Sequence, residues 1–227
     1  MRIFNVKQGT PEWLNMRKWV ITWTRLKAIS SAPSTATYKT ILSELIAEDL
    51  APLPEMFQND AMIRGTIMEP IARGEYEKLT GQKVHEVWFC LHETENYLWL
   101  SPDWFIMTTE WEHTPEAIGV YTKWIEIKCP GAKNHLEYIR LNKIPADYKW
   151  QIVNYYLINE SLQELDFITY NPDIYEEHLR MHIIPTKRSD YEKELSEIWE
   201  KIQAFKVLWE SEIKALLSKK DKKANIS

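Results

Sequence analysis

Apolar residues recur at a helical spacing in several segments of the chain. In residues 38–50, for example, they fall on one face of a helix. Thr10 occupies a favourable N-cap position, with Pro11 at the first helical position and Glu12 in the first turn. Gly81 is a typical residue at a helix C-terminus. The pattern predicts helices over about residues 10–17, 38–50, 66–79 and 146–159.

Shorter apolar runs, rich in β-branched and aromatic residues, predict strands. These runs lie at about residues 83–91, 97–101, 123–129, 164–170 and 177–184. A turn is expected around Gly119, within residues 117–121. Because helices precede, separate and follow the strands, the pattern predicts an α/β fold with a central mixed sheet.

The last predicted helix covers about residues 190–218. Ser189-Asp190-Tyr191-Glu192 has the pattern of a capping box at its start. Apolar residues then recur at helical spacing, at Tyr191, Leu195, Ile198, Ile202 and Phe205. This stripe is predicted to pack on the protein's own core, with a subunit contact as the alternative. The basic residues 219–227 are predicted to form a frayed end, with a weak phosphate contact as the alternative.

The 227 residues contain no internal repeat and no linker-like segment, so a single domain over residues 1–227 is expected. No apolar run approaches the roughly 18 residues of a membrane span, and the N-terminus lacks the apolar segment of a signal peptide. Cys90 and Cys129 lie in apolar runs, which favours a reduced, cytoplasmic protein. The net charge of −5 counts only mildly against nucleic-acid binding, because an acidic protein can carry a local basic groove.

Two acidic residues and a lysine have the pattern P-D … E-x-K of a metal-dependent nuclease site. Glu126 and Lys128 stand two residues apart in a predicted strand, so both side chains point to one face while the neighbouring isoleucines point to the core. Asp103 can join Glu126 across a neighbouring strand to bind a hard divalent ion. Taken separately, the two pieces also fit an exposed ion pair at a sheet edge and the start of a turn.

Several short motifs follow one another in a suggestive order. They are Q-G-x-x-x-W-x-x-x-R at 8–17, V-I-T-W-T at 20–24, G-x-x-x-E at 65–69, S-P-D at 101–103, E-x-K-C-P at 126–130 and a later helical glutamine at 151. The series resembles the lambda-type, YqaJ-like viral recombination exonucleases of the PD-(D/E)XK nuclease superfamily, over about residues 8–202. Trp23, Thr24 and Trp104 depart from the family pattern. These departures bear on substrate contacts and not on the metal site.

The resemblance implies a restriction-endonuclease-like core, in which helices flank a central mixed sheet. It also implies a Mg²⁺-dependent exonuclease that degrades one strand of double-stranded DNA in the 5′→3′ direction. The resulting 3′ overhang would serve a single-strand annealing protein. Members of the family form a ring-shaped homotrimer around DNA, so a homotrimer is expected here. If the source is a virus, the expected location is the cytoplasm of the host cell.

Asp103 and Glu126 are predicted to bind the metal, and the backbone carbonyl of Ile127 to add a third oxygen. One Mg²⁺ would lower the pKa of a bound water, and a second ion about 4 Å away would stabilise the leaving oxygen. Mn²⁺ is expected to substitute for Mg²⁺. Lys128 is predicted to orient or deprotonate the attacking water, or to stabilise the charge that develops on phosphorus.

Glu69 and Gln151 each have two interpretations. The segment 66–69 has the pattern of a capping box, in which Glu69 would bond the Thr66 amide. The resemblance instead gives Glu69 a metal-linked role, through water to the second ion. Gln151 lies on a helix beside apolar neighbours, and a buried glutamine must find hydrogen-bond partners. It either satisfies backbone groups or, as the resemblance implies, positions water or a lysine in the active site.

Arg17, Thr24 and Met62 are candidate DNA contacts. Arg17 shares a helix face with Trp13, and its guanidinium suits bidentate capture of a 5′-terminal phosphate. A surface salt bridge is the alternative for Arg17, and Thr24 is expected to add a hydroxyl contact to the phosphate. The resemblance places Met62 at an apolar wedge that parts the terminal base pairs, with the filling of a core gap as the alternative.

Two other functions fit the same residues. One is a structure- or sequence-specific DNA endonuclease with the same metal core, and the other is a non-catalytic DNA-end-binding protein. A closed circular substrate separates the exonuclease from the endonuclease, because an exonuclease needs an end. The six histidines lack a zinc-site spacing, and no P-loop motif implies ATP.

Overall fold

The computed structural model describes residues 1–4, 6, 10–52, 60–87, 89–102, 104–106 and 123–224. The strands are β1 (Arg2–Phe4), β2 (Val84–Glu86), β3 (Phe89–Leu91), β4 (Trp99–Leu100), β5 (Trp104–Ile106), β6 (Lys123–Lys128), β7 (Glu164–Tyr170) and β8 (Met181–Lys187). The helices are α1 (Pro11–Met16), α2 (Trp23–Ile29), α3 (Ala36–Leu50), α4 (Asp60–Thr80), α5 (Ala132–Leu141), α6 (Lys149–Ile158) and α7 (Glu192–Ala224). The turn predicted around Gly119 lies outside the described residues.

Strand β6 lies in the middle of a five-stranded sheet with the order β2-β5-β6-β7-β8. It runs parallel to β7 and antiparallel to β5, and the two outer pairs are antiparallel. The sheet is therefore mixed, and the predicted α/β fold is confirmed. A smaller sheet joins β1, β3 and β4. The four inner residues of β6 are buried, because residues of α4 pack on one face of the strand and residues of α6 on the other.

The predicted helix starts and stops are confirmed at two places. The hydroxyl of Thr10 accepts a hydrogen bond from the Trp13 N–H at 3.3 Å, and Pro11 opens α1. Gly81 follows α4 with a φ of 69°, which glycine adopts at little cost. The predicted helices over 38–50 and 146–159 correspond to α3 and α6.

Helices α2 and α5 were not predicted, and α4 begins earlier than predicted. Thr22 precedes α2 without a side-chain cap, so the usual start signal is missing. Helix α4 begins at Asp60, and Thr66 therefore lies in its interior and not at its N-terminus. The capping-box interpretation of residues 66–69 is thus wrong. Ile63 and Ile67 are apolar residues on the outer, exposed face of α4. They obscure the helical spacing of the buried apolar residues in the sequence.

Two predicted strands also differ in the structure. The run 83–91 forms two strands, β2 and β3, which belong to different sheets. A single strand-like segment in the sequence does not show where the chain passes from one sheet to the other. The run 177–184 divides into a 3-10 turn at Glu177–Leu179 and strand β8, which continues to Lys187. Pro185 is accommodated because β8 is an edge strand, where one side of the backbone needs no hydrogen-bond ladder.

The start of the last helix follows a different cap from the one predicted. Residues Arg188–Tyr191 form a 3-10 turn, and the Asp190 carboxylate accepts a hydrogen bond from the Lys187 N–H at 3.1 Å. Helix α7 then continues past the predicted end at residue 218 to Ala224. None of the described helices combines the length and the apolar character that crossing a bilayer requires.

The apolar stripe of α7 packs on the main core, as predicted. The stripe joins residues from α2, α3 and α6 in one cluster. Its members Leu195, Ile198, Ile202 and Phe205 are buried, and Tyr191 is partly buried against them. This face of α7 therefore contributes to the fold of its own chain.

Shortening one side chain of this stripe should destabilise the protein. Ile198 is fully buried, so Ile198→Ala is expected to lower the free energy of unfolding by about 2–5 kcal/mol through lost burial and a residual cavity. Val207 lies on the outer face of the same helix, and Val207→Ala should change that free energy by less than about 0.5 kcal/mol. Urea denaturation followed by circular dichroism measures both. Equal losses for the two variants would contradict the packing of α7.

Candidate functional site

Glu126 is the buried centre of the candidate site. It lies on the central strand β6 with no exposed surface. Its Oε1 accepts a hydrogen bond from Gln151 Nε2 at 2.5 Å, and its Oε2 accepts one from the Tyr155 hydroxyl. Both donors come from α6, which covers this face of β6. A buried carboxylate with donors on both oxygens is held in one orientation.

Lys128 lies beside Glu126, as the alternation along a strand predicts. Its Nζ forms an ion pair with Glu126 Oε1 and lies 5.4 Å from the centre of the Tyr148 ring. The lysine side chain is partly exposed, whereas the glutamate is not. The alternative of a solvent-facing pair at a sheet edge is therefore wrong, because the pair lies on the middle strand with its carboxylate buried.

Glu69 joins this pair from helix α4. Burial raises the pKa of its carboxyl, the Lys128 ammonium opposes that rise, and the Glu126 carboxylate adds to it. Both charges act on Glu69, so its carboxyl lies within electrostatic reach of the two strand residues. The structure thus brings together three of the predicted site residues, and Gln151 is a fourth.

The carboxylate oxygens at this site are suitable ligands for a hard divalent cation. Glu69 and Glu126 offer carboxylate oxygens, the ligands that Mg²⁺ prefers. Two carboxylates face one ammonium here, and a bound cation would offset the excess negative charge. Within the described ranges, no three His, Cys, Asp or Glu side chains group closely enough to form a complete metal site. Asp103, the further ligand predicted from the sequence, lies outside the described residues.

Gly65 leaves room for the Glu69 carboxyl one turn further along α4. A Cβ atom at Gly65 would lie 3.0 Å from Glu69 Oε1, which is too close without movement of the carboxyl. Glycine in a helix interior is otherwise unfavourable by about 0.5–1 kcal/mol relative to alanine. Glycine at this position therefore lowers the stability of the helix but leaves space for the Glu69 carboxyl.

Gly65→Ala is expected to reduce activity without reducing stability. The added methyl group should displace the Glu69 carboxyl and slow catalysis by about 10–100-fold, the usual effect of losing a supporting group. The control is Gly74→Ala on the same helix, where a Cβ would meet no atom within 4 Å. That variant should gain up to about 1 kcal/mol of stability and keep its activity. Equal activity in the two variants would contradict the crowding of Glu69.

Tyr155 is a site residue that the sequence reasoning missed. It lies four residues after Gln151 and thus on the same helix face. Its hydroxyl donates to Glu126, and its ring packs edge-on against Trp124 with 5.4 Å between centroids. The i, i+4 relation to a polar active-site residue was the signal available in the sequence.

Arg17 lies between two tryptophan rings at the end of α1. Its guanidinium carbon is 4.4 Å from the centre of the Trp13 ring and 5.0 Å from that of Trp99. Burial lowers the pKa of Arg17, the charge of Arg25 lowers it further, and Glu48 opposes both. Aromatic faces stacked on a guanidinium fix the orientation of its plane.

Arg25 is a second cation beside Arg17 that the sequence reasoning did not identify. It forms an ion pair with Glu48, and both side chains are mostly buried. Arg25 Nη1 also donates to the Val20 carbonyl at 2.7 Å. Glu48 thus contacts Arg25 and acts electrostatically on Arg17, so one carboxylate opposes two guanidinium charges. Such a pair favours an anion at this place.

The other predicted DNA contacts are only partly described. Thr24 is exposed near the start of α2, with its hydroxyl 2.9 Å from that of Thr22. Met62 lies in α4, and its side chain is outside the described residues. Helix α6, which covers Glu126, also contacts the strand beside Arg17, because Asn154 donates to the Trp99 carbonyl at 3.1 Å.

Comparison of sequences relates this chain to one family. The sequence model of the YqaJ-like viral recombinase domain matches residues 12–160. That range includes Arg17, Glu69, Glu126, Lys128 and Gln151. No curated protein shows significant sequence similarity to the chain.

Solved structures share the fold. The alkaline exonuclease LHK-Exo from Laribacter hongkongensis is 29% identical, with a TM-score of 0.77 over 96% of this chain and 100% of that one. A second structure of LHK-Exo, in complex with dAMP, gives the same values. A phage-related exonuclease from Haemophilus somnus 129PT is 14% identical, with a TM-score of 0.61 over 87% of this chain and 96% of that one, and supports the fold alone. The predicted PD-(D/E)XK-like fold is confirmed.

Proposed function

The chain belongs to the YqaJ-like viral recombinase family, and on that premise we propose that it is a Mg²⁺-dependent exonuclease that acts on the ends of double-stranded DNA. It degrades one strand in the 5′→3′ direction and leaves a 3′ overhang for recombination by single-strand annealing. The observation that carries this proposal is the cluster of Glu126, Lys128 and Glu69, with Gln151 holding the buried carboxylate. The activity in the name of LHK-Exo agrees with it.

Asp103 is proposed as a further metal ligand because of the register of β5 on β6. Trp104 pairs with Ile125 in an antiparallel arrangement. Asp103 directly precedes Trp104 in the sequence, and Glu126 directly follows Ile125. We propose that the two carboxylates share one cation.

The proposed metal ligands are Asp103, Glu126 and the backbone carbonyl of Ile127, with Glu69 acting through water. When bound, Mg²⁺ supplies a water of lowered pKa and charge to offset the phosphate. Two ions are proposed, and Mn²⁺ is proposed to substitute.

Each described side chain has a separate task in this proposal. Gln151 and Tyr155 fix the two oxygens of Glu126, so that the carboxylate does not rotate. Lys128 lies on the partly exposed side of that carboxylate, where a phosphate and an attacking water can approach. As the ammonium it orients that water or stabilises the charge that builds on the phosphate, and as the neutral amine it would accept the proton of the water.

Arg17 is proposed to bind the 5′-terminal phosphate, with Arg25 adding positive charge and Thr24 a hydroxyl. The tryptophan rings on either side of Arg17 set the direction of its donors. A bidentate contact from a guanidinium to a phosphate is strong and directional. Met62 is proposed as the wedge that separates the terminal base pair.

Removing Arg17 should abolish the preference for a phosphorylated end. The wild-type protein is expected to degrade a 5′-phosphorylated duplex faster than a 5′-hydroxyl duplex by about tenfold or more, since a charge-assisted bidentate contact contributes roughly 1.5–3 kcal/mol. In Arg17→Ala the two rates should become equal. Lys78→Ala, at an exposed lysine paired with Glu75, serves as the control and should keep the preference. A preference that survives in Arg17→Ala would refute this phosphate site.

End-labelled linear duplex DNA, incubated with Mg²⁺ or with EDTA, tests the proposed function. We expect mononucleotide release from the 5′-labelled end with Mg²⁺ and none with EDTA. Cleavage of closed circular DNA would instead support the endonuclease alternative. Binding to ends without any cleavage would support the non-catalytic alternative.

The proposed assembly is a homotrimeric ring, and the proposed partner is an annealing protein that takes up the 3′ overhang. The ring and the partner are both proposed because the chain belongs to this family. Sedimentation equilibrium of the protein alone tests the subunit number, and a monomer at all concentrations would contradict the ring.

A further inference from the structure

Three side-chain polar atoms on β7, β8 and α5 are buried without a hydrogen-bond partner among the described residues. They are Thr169 Oγ1, His182 Nε2 and His135 Nδ1. Thr169 and His135 are fully buried, and His182 is partly exposed although its Nε2 is not. Buried polar atoms are normally paired with protein or with ordered water.

The three residues come together in the space beside the active-site strand. Lys128 on β6 pairs with Thr169 on β7, and Thr169 pairs with His182 on β8. Directly opposite residues on neighbouring strands have their side chains on one face, so Lys128, Thr169 and His182 form a single row across the sheet. Helix α5 packs against β7 and brings in His135, whose imidazole affects that of His182 electrostatically.

The hydrogen bond of His135 determines which of its ring nitrogens carries the proton. Its Nε2 lies 2.7 Å from the Leu179 carbonyl, which can only accept, so Nε2 carries the proton. In the neutral imidazole, Nδ1 is then an acceptor. Burial lowers the pKa of His135, against a smaller opposing effect of the Leu179 carbonyl, and burial followed by the His135 ring lowers the pKa of His182. Burial therefore favours the neutral form of both rings.

We propose that Thr169, His182 and His135 bind one ordered water molecule, which holds the row of side chains next to Lys128 in place. A water offers two donors and two acceptors, so it can donate to His135 Nδ1 and also satisfy Thr169 Oγ1 and His182 Nε2. The three residues are positioning residues in this arrangement. Their role in the reaction rests on the proposed nuclease function, whereas the water site itself does not.

A transition metal is a poorer occupant than water. Two imidazole nitrogens and a neutral hydroxyl are a weak ligand set, and within the described part of the chain no third His, Cys, Asp or Glu completes the group. The hydroxyl of threonine is, by contrast, an ordinary partner for water.

Nitrogen NMR of ¹⁵N-histidine-labelled protein tests the water site directly. The Nδ1 resonance of His135 is expected at the position of a hydrogen-bonded acceptor in the wild type and in Thr169→Ser. In Thr169→Val, which keeps the shape but removes the hydroxyl, it should move towards that of an unbonded nitrogen. An unbonded position already in the wild type would overturn the water site, whether or not the protein cuts DNA.

Single-turnover kinetics at saturating DNA test the positioning role. Thr169→Val is expected to lower the cleavage rate about tenfold, with unchanged half-saturating DNA concentration, because loss of a supporting contact typically costs 10–100-fold. Thr169→Ser should stay within about twofold of wild type, since it keeps the hydroxyl. His182→Phe, at a partly exposed position, is a second variant that should follow Thr169→Val. Equal rates for the valine and serine variants would overturn the role, and an inactive wild type would overturn only the proposed function.

Discussion

Glu126→Gln is expected to slow the cleavage of linear duplex DNA by more than about 10³-fold, the largest effect of any single change in the protein. The glutamate is fully buried and accepts from Gln151, Lys128 and Tyr155. A glutamine there can keep its oxygen towards Gln151 and Lys128 only with its NH2 group towards the Tyr155 hydroxyl, which must then accept instead of donate. It also removes the charge that a cation requires.

Single-turnover cleavage of an end-labelled duplex measures this loss. Tyr155→Phe is the matched control, because it removes one donor to the same carboxylate and leaves its charge. That variant should lose only about 10–100-fold, since a hydrogen bond to a charged group contributes roughly 1.5–3 kcal/mol. If Glu126→Gln folded normally and cleaved DNA as well as Tyr155→Phe, the charge of Glu126 would have no part in catalysis.

Lys128→Ala should lower the cleavage rate by about 10²–10³-fold while the affinity for DNA remains close to that of the wild type. Among the described residues, Lys128 is the cation that contacts Glu126 and acts on Glu69. Its charge is needed mainly where negative charge develops on the phosphate, so the loss should appear in the chemical step. Single-turnover rates and DNA binding in EDTA separate the two effects.

Lys123→Ala is the control for Lys128→Ala, because it removes a lysine from the other end of β6. Lys123 Nζ lies 3.1 Å from Asp166, away from the Glu126 carboxylate's donors. Its loss should affect stability more than the cleavage rate. A Lys128→Ala variant that cleaved DNA at nearly the wild-type rate would show that the lysine has no catalytic task.

The pairing of Glu126 with Lys128 could be predicted from the sequence because it depends on a local rule. Side chains two residues apart in a strand share a face, whatever the rest of the chain does. Glu69 and Gln151 are distant in sequence, and local patterns gave them ordinary interpretations. Only the resemblance to a family assigned them to the site. Tyr155 carries no motif, so its contact with Glu126 emerged only from the fold.

Element boundaries were harder to predict where apolar residues face outwards or where a polar residue resembles a cap. Thr66 looks like a helix start, yet α4 already began at Asp60. Pro70 lies inside the same helix, where local preference would place a boundary. The ion pair of Arg25 with Glu48 joins two helices, and no spacing rule in a single sequence indicates such a contact.

Diffraction from crystals soaked with Mn²⁺ tests the central claim most directly, because the anomalous signal locates the ion independently of any activity. We expect a Mn²⁺ peak bonded to the carboxylates of Glu126 and Asp103, and no peak at that place in Glu126→Gln. A Mn²⁺-dependent wild-type enzyme whose ion lies elsewhere, with Glu126 still held only by Gln151, Tyr155 and Lys128, would contradict it.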